Sequence, residues 1–350
     1  MDVSFGLFEW VDRGEVPVAQ LYEDRLQVME AADAAGFHCY HLAEHHATPL
    51  GMAPSPSVFL AAATQRTERL RLGSLAHLLP LYDPLRLTEE ICMLDHLSRG
   101  RLDVGVSRGV SPYELAYFGV DPAGNRPLFH EALDVIVAGL SHDQLNFDGE
   151  HYHYHDVPME IRPLQQPYPP LWYPSTSIES MPFVGGNGFN FVALGPAEFV
   201  RTLVDEYWKH WEASRDTPGR LNGHVEHPKV GVNRMIVIAD TDEEALEITR
   251  SAHDFWFKSI LKLWWAHDDY SNDGLFEWNG SVEHDTITFG SPDTVREKVM
   301  RTVEVSGCNY VNCCFAWGNL SHEQTLRSLR LFASEVMPAF ASGAELAGAH

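Results

Sequence analysis

The chemistry this sequence offers is concentrated at the ends of a few strand-like runs. Glu44-His45-His46 closes one such run. Adjacent side chains on an extended segment point to opposite sides, so the two histidines are poorly placed to share a metal. A single imidazole facing a pocket suits acid–base work or hydrogen bonding to a bound ring; the bland alternative is a histidine packed beneath the loop. Ser107-Arg108-Gly109 follows another run, and a guanidinium fork there fits two phosphate oxygens, or else pairs with a local carboxylate. Ser175-Thr176-Ser177-Ile178-Glu179-Ser180 supplies hydroxyls at a helix start, where they cap free amides or join them in holding an anion. Together with Arg108 this predicts a joint anion site. His151, His153 and His155 alternate with Tyr152 and Tyr154, which on a strand puts all three imidazoles on one face. A solvated hairpin face accounts for them better than a metal site does.

These residues need elements to position them. Val3 to Phe8, Phe37 to Ala43, Arg71 to Leu79 and Leu102 to Ser107 read as strands. Helical spacing over Ala19 to Ala35, Ser57 to Arg66, Pro84 to Leu97 and Arg126 to Leu140 alternates with them. Asn146 to Pro170 reads as an excursion with a hairpin turn at Asp148-Gly149. Strands at Leu171 to Tyr173, Phe189 to Leu194, Lys229 to Ala239 and Asn309 to Phe315 follow, with helices at Pro196 to Ser214, Asp242 to Phe257 and Ser321 to Met337. Eight β–α units predict an α/β fold, a closed (β/α)8 TIM barrel whose site lies where strands end. An open doubly wound sheet would want a glycine-rich fingerprint after the first strand, and Phe8-Glu9-Trp10 offers none. Leu263 to Thr288, with Trp264-Trp265, lacks clear periodicity and reads as a long mobile loop, a lid over the site. The whole span 1–350 is expected to be one domain.

Composition narrows the function. The 350 residues carry 25 Lys+Arg against 49 Asp+Glu, a formal charge of −24, which disfavours nucleic acid and anionic membrane surfaces as partners. Five cysteines, Cys39, Cys92, Cys308, Cys313 and Cys314, show no metal spacing and read as buried thiols in a reducing compartment. No stretch of 18 apolar residues and no leader-like start occur, so the expectation is a cytoplasmic protein.

Five stretches resemble the bacterial luciferase-like family of flavin monooxygenases, most closely its catalytic α-type subunit. They are Phe5-Gly6-Leu7-Phe8, Ala43-Glu44-His45-His46, Leu94-Asp95-His96-Leu97-Ser98-Arg99-Gly100-Arg101, Ser107-Arg108-Gly109 and Leu331-Phe332-Ala333-Ser334-Glu335-Val336-Met337-Pro338, in order along essentially the whole chain. The resemblance implies a barrel that takes reduced FMN from a separate flavin reductase and uses dioxygen, through a flavin peroxide, to oxidise an organic substrate. The family's catalytic histidine matches His45, with Glu44 and His46 beside it. Its phosphate arginine matches Arg108, and its phosphate loop matches Thr176, Ser177 and Ser180. Phe8 and Ser107 join this cofactor-binding set, and a non-proline cis peptide beneath the flavin falls at Leu75-Ala76. A homodimer is the implied assembly.

Departures matter too. Ser107 stands where luciferase has a reactive cysteine, Thr176 where the family has an acid, and no tryptophan follows the sixth strand near Leu194-Gly195. Light emission therefore does not follow from the resemblance. A deazaflavin-dependent dehydrogenase or reductase and a non-catalytic flavin-binding barrel are the competing readings; Glu44-His45-His46 with Arg108 favours the FMN enzyme. Tyr113, Tyr117, Phe118 and Trp264 hint at a hydrophobic small-molecule substrate, with core packing as the equal alternative.

Overall fold

A computed structural model describes residues 3–340. Strands β1 (Ser4–Glu9), β2 (Cys39–Leu42), β3 (Arg71–Ser74), a two-residue β4 (His77–Leu78) and β5 (Leu102–Ser107) alternate with helices α1 (Val18–Ala35), α2 (Pro56–Thr64) and α3 (Pro84–Leu97). After β5 come a short α4 (Pro112–Tyr117) and α5 (Asn125–Ser141). The antiparallel pair β6 (Gln144–Asp148) and β7 (His153–Pro158) then forms the expected hairpin excursion. The barrel resumes with β8 (Leu171–Pro174), α6 (Met181–Asn187), β9 (Asn190–Ala193), α7 (Ala197–Ser214) and β10 (Val230–Ile238). Next are α8 (Asp242–Ala266), α9 (Trp278–Glu283), β11 (Ile287–Gly290), α10 (Pro292–Ser306), β12 (Tyr310–Cys314) and α11 (His322–Leu331). Eight parallel strands close in the order β1-β2-β3-β5-β8-β9-β10-β12, with β12 returning to β1. β11 pairs with the outer half of β10.

Local chemistry explains the boundaries. Asp83 caps α3, accepting from the Arg86 amide at 3.0 Å, with Pro84 in the first turn. Gly36 and Gly307 end α1 and α10 in left-handed conformation. The expected irregular stretch from Leu263 to Thr288 is more ordered than its spacing suggested. α8 runs on through Ala266 instead of stopping at Phe257, because no Gly or Pro interrupts the chain between Asp242 and Gly274. A 3-10 turn at Asp273–Leu275, α9 and the start of β11 occupy the remainder.

Inside the barrel, side chains stack in layers, as in folds of this kind. Tyr310 from β12 plugs the middle, and a Cβ at Gly6 would overlap its hydroxyl. Its oxygen lies 2.9 Å from His41 Nε2, and Trp172 Nε1 donates to Asp103 at 3.0 Å nearby. The stretch Leu94 to Arg101 builds a corner at the amino-terminal face. Asp95 accepts from the backbone and side chain of Gln165 at 2.8 and 2.7 Å, while Arg101 donates to the carbonyls of Leu70 and Thr67 at 2.6 and 3.0 Å. That face of such barrels serves stability. All five cysteines are buried and free.

Candidate active site

At the carboxyl ends of the strands lies a cavity of about 450 Å³. Its walls are mainly apolar, including Phe8, Trp10, Leu50, Leu75 and Val192, and its roof is Ile260, Leu261, Leu263, Trp264, Leu275 and Phe276 from α8 and the turn after it. Of the stretch Leu263 to Thr288, Leu263, Trp264, Asn272, Leu275 and Phe276 line the cavity.

Of the histidine motif, only His45 lines this cavity. Its Nδ1 lies 3.0 Å from Glu114 Oε1, and the Glu114 side chain is 3 % exposed. Burial disfavours the imidazolium, but the carboxylates of Glu114, Glu44 and Asp12 outweigh it and hold the His45 pKa above its ordinary value. His46 turns away, pairing with Glu44 at 2.8 Å and meeting Phe118 edge-on at 4.7 Å. Glu44 is buried off the cavity, where one oxygen accepts from the Leu78 amide at 3.1 Å and from the Tyr82 hydroxyl at 2.8 Å. It is an anchor for the segment after β3. In that segment the Leu75–Ala76 peptide bond is cis, as the resemblance implied; Leu75 lines the cavity and Ala76 is buried beside it.

Across the mouth, Ser107 and Thr176 also line the cavity. Arg108, next to the cavity-lining Ser107, is exposed, and its guanidinium is close enough to the Tyr173 hydroxyl to oppose the rise in pKa that burial imposes there. Arg126 from the first turn of α5 stands in the same neighbourhood, and burial together with the two guanidinium groups pushes the His130 pKa down. The result is a local positive cluster in an acidic protein. Beside it the serine loop is closed on itself: Ser175 and Ser180 hydroxyls are 2.7 Å apart, Ser180 donates to the Ser177 carbonyl at 2.7 Å, and the Ser177 hydroxyl donates to Glu179 at 2.6 Å.

Several expectations need revision. Tyr113, Tyr117 and Phe118 do not line the cavity; Trp264 does. Tyr113 stacks on His267 at 4.1 Å and donates to Asp269 at 2.9 Å, and the Tyr117 hydroxyl lies 3.2 Å from His267 Nε2, so α4 is tied to the roof. His151 sits in the hairpin turn outside β7, while His153 pairs with Asp148 at 2.7 Å on the exposed strand. Glu114, Arg126, Asn233 and Asn312 escaped the reading of the sequence. Glu114 hid in a helix-start pattern, Ser111-Pro112-Tyr113-Glu114, whose backbone does cap on Ser111 at 3.3 Å while its carboxylate turns to His45.

The family model described as luciferase-like monooxygenase matches residues 3–309. The chain belongs to that family. Among relatives of this luciferase-like chain, the flavin-dependent trigonelline monooxygenase, oxygenase component, of Acinetobacter baylyi is 26% identical over 97% of this chain and 96% of its own. The solved monooxygenase RslO1 from Streptomyces bottropensis superposes with a TM-score of 0.85 at 25% identity, covering 97% of this chain and all (100%) of that one. The oxygenating constituent of 3,6-diketocamphane monooxygenase from Pseudomonas putida, solved with FMN, shares the fold at a TM-score of 0.78 and 20% identity, over 98% and 100% of the two chains. The fold alone does not select the cofactor. A coenzyme F420 dependent tetrahydromethanopterin reductase from Methanopyrus kandleri has it too, at a TM-score of 0.73 and 16% identity over 97% and 100%.

Proposed function

We propose that this chain is the oxygenating component of a two-component flavin monooxygenase. It takes reduced FMN from a separate reductase and, with dioxygen, oxidises a small hydrophobic organic substrate without emitting light. The observation that carries the reading is one cavity with a positive cluster at one rim and a carboxylate-backed histidine on its wall.

The residues present fit a flavin phosphate. Arg108 and Arg126 form no ion pair with a carboxylate among the described residues, and instead share Tyr173 and His130 as neighbours. Their forks would hold the phosphate, with Thr176, Ser177 and Ser180 donating hydroxyls once Ser177 releases Glu179. Phe8, Leu75 and Val192 supply apolar surface for the ring system, with Ser107 at its edge. When bound, the reduced flavin supplies two electrons to dioxygen, one oxygen atom going to the substrate and the other to water.

What the chain itself contributes is proton control and dryness. His45 is paired through Nδ1 with Glu114; the carboxylates that raise its pKa favour the doubly protonated ring, whose Nε2 proton is then the one available to an oxygen in the cavity. Glu114 orients the ring and stabilises its charge. The roof from Ile260 to Phe276, held by Tyr113–Asp269 and by His253 Nε2 on the Phe276 carbonyl at 2.9 Å, keeps water out. The reading includes a homodimer, and Val58 on α2 with Met93 and Leu97 on α3 are exposed apolar side chains; among the described residues no helix is long and apolar enough to cross a membrane.

The test is binding of reduced FMN followed by admission of air. The wild-type chain should bind FMN, consume oxygen and yield oxygenated product from an apolar substrate panel. Arg108→Ala should weaken FMN about tenfold or more through the lost charge-assisted bonds. Hydride transfer from reduced F420 without oxygen uptake would refute the proposal.

A further inference from the structure

Asn233 on β10 and Asn312 on β12 are direct partners in the parallel register, so their side chains stand side by side. Both line the cavity and both are buried, at 5 % and 0 % exposure. The side-chain oxygen of Asn233 and both polar side-chain atoms of Asn312 find no hydrogen-bond partner among the described residues. Buried amides are normally satisfied, and these two line the cavity one layer beyond the Tyr310 plug, Asn312 lying two residues further along β12. Around the ring of eight strands β12 lies opposite β5, the strand that leads to Arg108. The amides are therefore across the barrel from the positive cluster. Among the described residues the only ionisable side chains on the cavity wall are His45 and Glu114, and these pair with each other.

Resting on the monooxygenase reading above, we infer that Asn233 and Asn312 are the polar end of the substrate site. The substrate they select is an uncharged, largely apolar molecule with one neutral group that both donates and accepts hydrogen bonds, a hydroxyl or an amide. A carboxamide pair offers donors and acceptors together and matches such a group, whereas a charged group entering here would meet no free counter-charge and would pay its full desolvation. The apolar wall takes the rest of the molecule.

The probes are four molecules on one aromatic frame: benzamide, benzyl alcohol, toluene and benzoate. Dissociation constants come from ligand-detected NMR on the full chain, wild type and the variants Asn233→Leu, Asn312→Leu and both together, with FMN affinity and thermal midpoint measured alongside. In the wild type, benzamide and benzyl alcohol should bind about tenfold more tightly than toluene or benzoate. In the double variant the preference over toluene should fall toward one, FMN affinity should stay within about twofold, and the melting midpoint should hold or rise, since the side-chain oxygen of Asn233 and both polar side-chain atoms of Asn312 have no partner among the described residues. Equal binding of toluene and benzamide by the wild type overturns the inference, as does a preference that survives in the double variant. A fall in melting midpoint makes the amides structural and overturns it. Loss of FMN affinity as large as that of Arg108→Ala assigns them to the cofactor and overturns it as well. If the wild type binds no FMN but keeps the amide preference, the monooxygenase reading fails and the neutral polar subsite stands.

Discussion

Replacing Glu114 by Gln removes a charge while leaving shape and one hydrogen-bond acceptor in place. The carboxylate sits 3.0 Å from His45 Nδ1, and the two side chains are 3 % and 18 % exposed, so the pair is poorly screened. Glu114 is the largest of the influences that raise the His45 pKa, ahead of Glu44 and Asp12, and all of them act against burial. Burial itself pushes Asp12 up to about 7, so its charge is only partly present at neutrality. A hydrogen bond to a charged partner contributes about 1.5–3 kcal/mol, which corresponds to roughly a 10- to 100-fold smaller population of imidazolium at pH values above its titration. The assay is product formation with excess reduced FMN from about pH 5.5 to about pH 9. A raised His45 pKa means that the wild type keeps its acid form as pH rises and loses activity only on passing through that pKa. Glu114→Gln should lose activity earlier, by about 10- to 100-fold on the alkaline side, and match the wild type at the acid end, with FMN affinity unchanged. An equal loss at every pH, or an unmoved profile, would refute the role given to the pair.

Glu179→Ala should tighten FMN binding several-fold, because its carboxylate now takes the Ser177 hydroxyl and adds negative charge beside the phosphate cradle; titration of the two proteins with FMN decides it, and weaker binding would show that Glu179 supports the loop. Gly6→Ala should lower the melting midpoint by an amount equivalent to about 1–3 kcal/mol or more, since the new methyl overlaps the Tyr310 hydroxyl. Adding Tyr310→Phe should restore part of that loss, and no restoration would mean the clash lies elsewhere. Stability should fall on acidification below about pH 6.5: burial lowers His41 to about 3 and His38 to about 4, so the unfolded chain takes up protons that the folded chain refuses. Asp12, pushed up to about 7, acts with the opposite sign over the same window. Melting curves against pH should therefore slope less steeply for His41→Gln, and an unchanged slope would remove His41 from the account.

Much of the barrel was readable because its strands and helices differ in period and are punctuated by Gly and Pro. α8 was cut short in the reading because its last two turns, Lys258 to Ala266, mix wall-lining residues with exposed ones and so blur the 3.6 period. α10 was missed although Pro292 and Gly307 mark its ends. The site was less readable than the frame. His45, Ser107, Thr176, Leu75 and Phe8 meet at one cavity, yet Glu44 and His46, adjacent in sequence, face elsewhere because an extended segment alternates sides.

The residues that escaped notice share a physical cause. Glu114, Arg126, Asn233 and Asn312 each stand beside a site neighbour distant in sequence: His45 for Glu114, Tyr173 for Arg126, and each other for the asparagines. Alone, each has a bland reading as a helix cap, a surface cation or a polar interruption of a strand. The converse holds for Leu94 to Arg101, an easily recognised run whose side chains tie a corner on the face away from the cavity. What distinguishes the site is convergence: an apolar cavity is lined by a histidine paired with a buried carboxylate and by two buried amides lacking partners among the described residues, with two guanidinium groups around His130 close by.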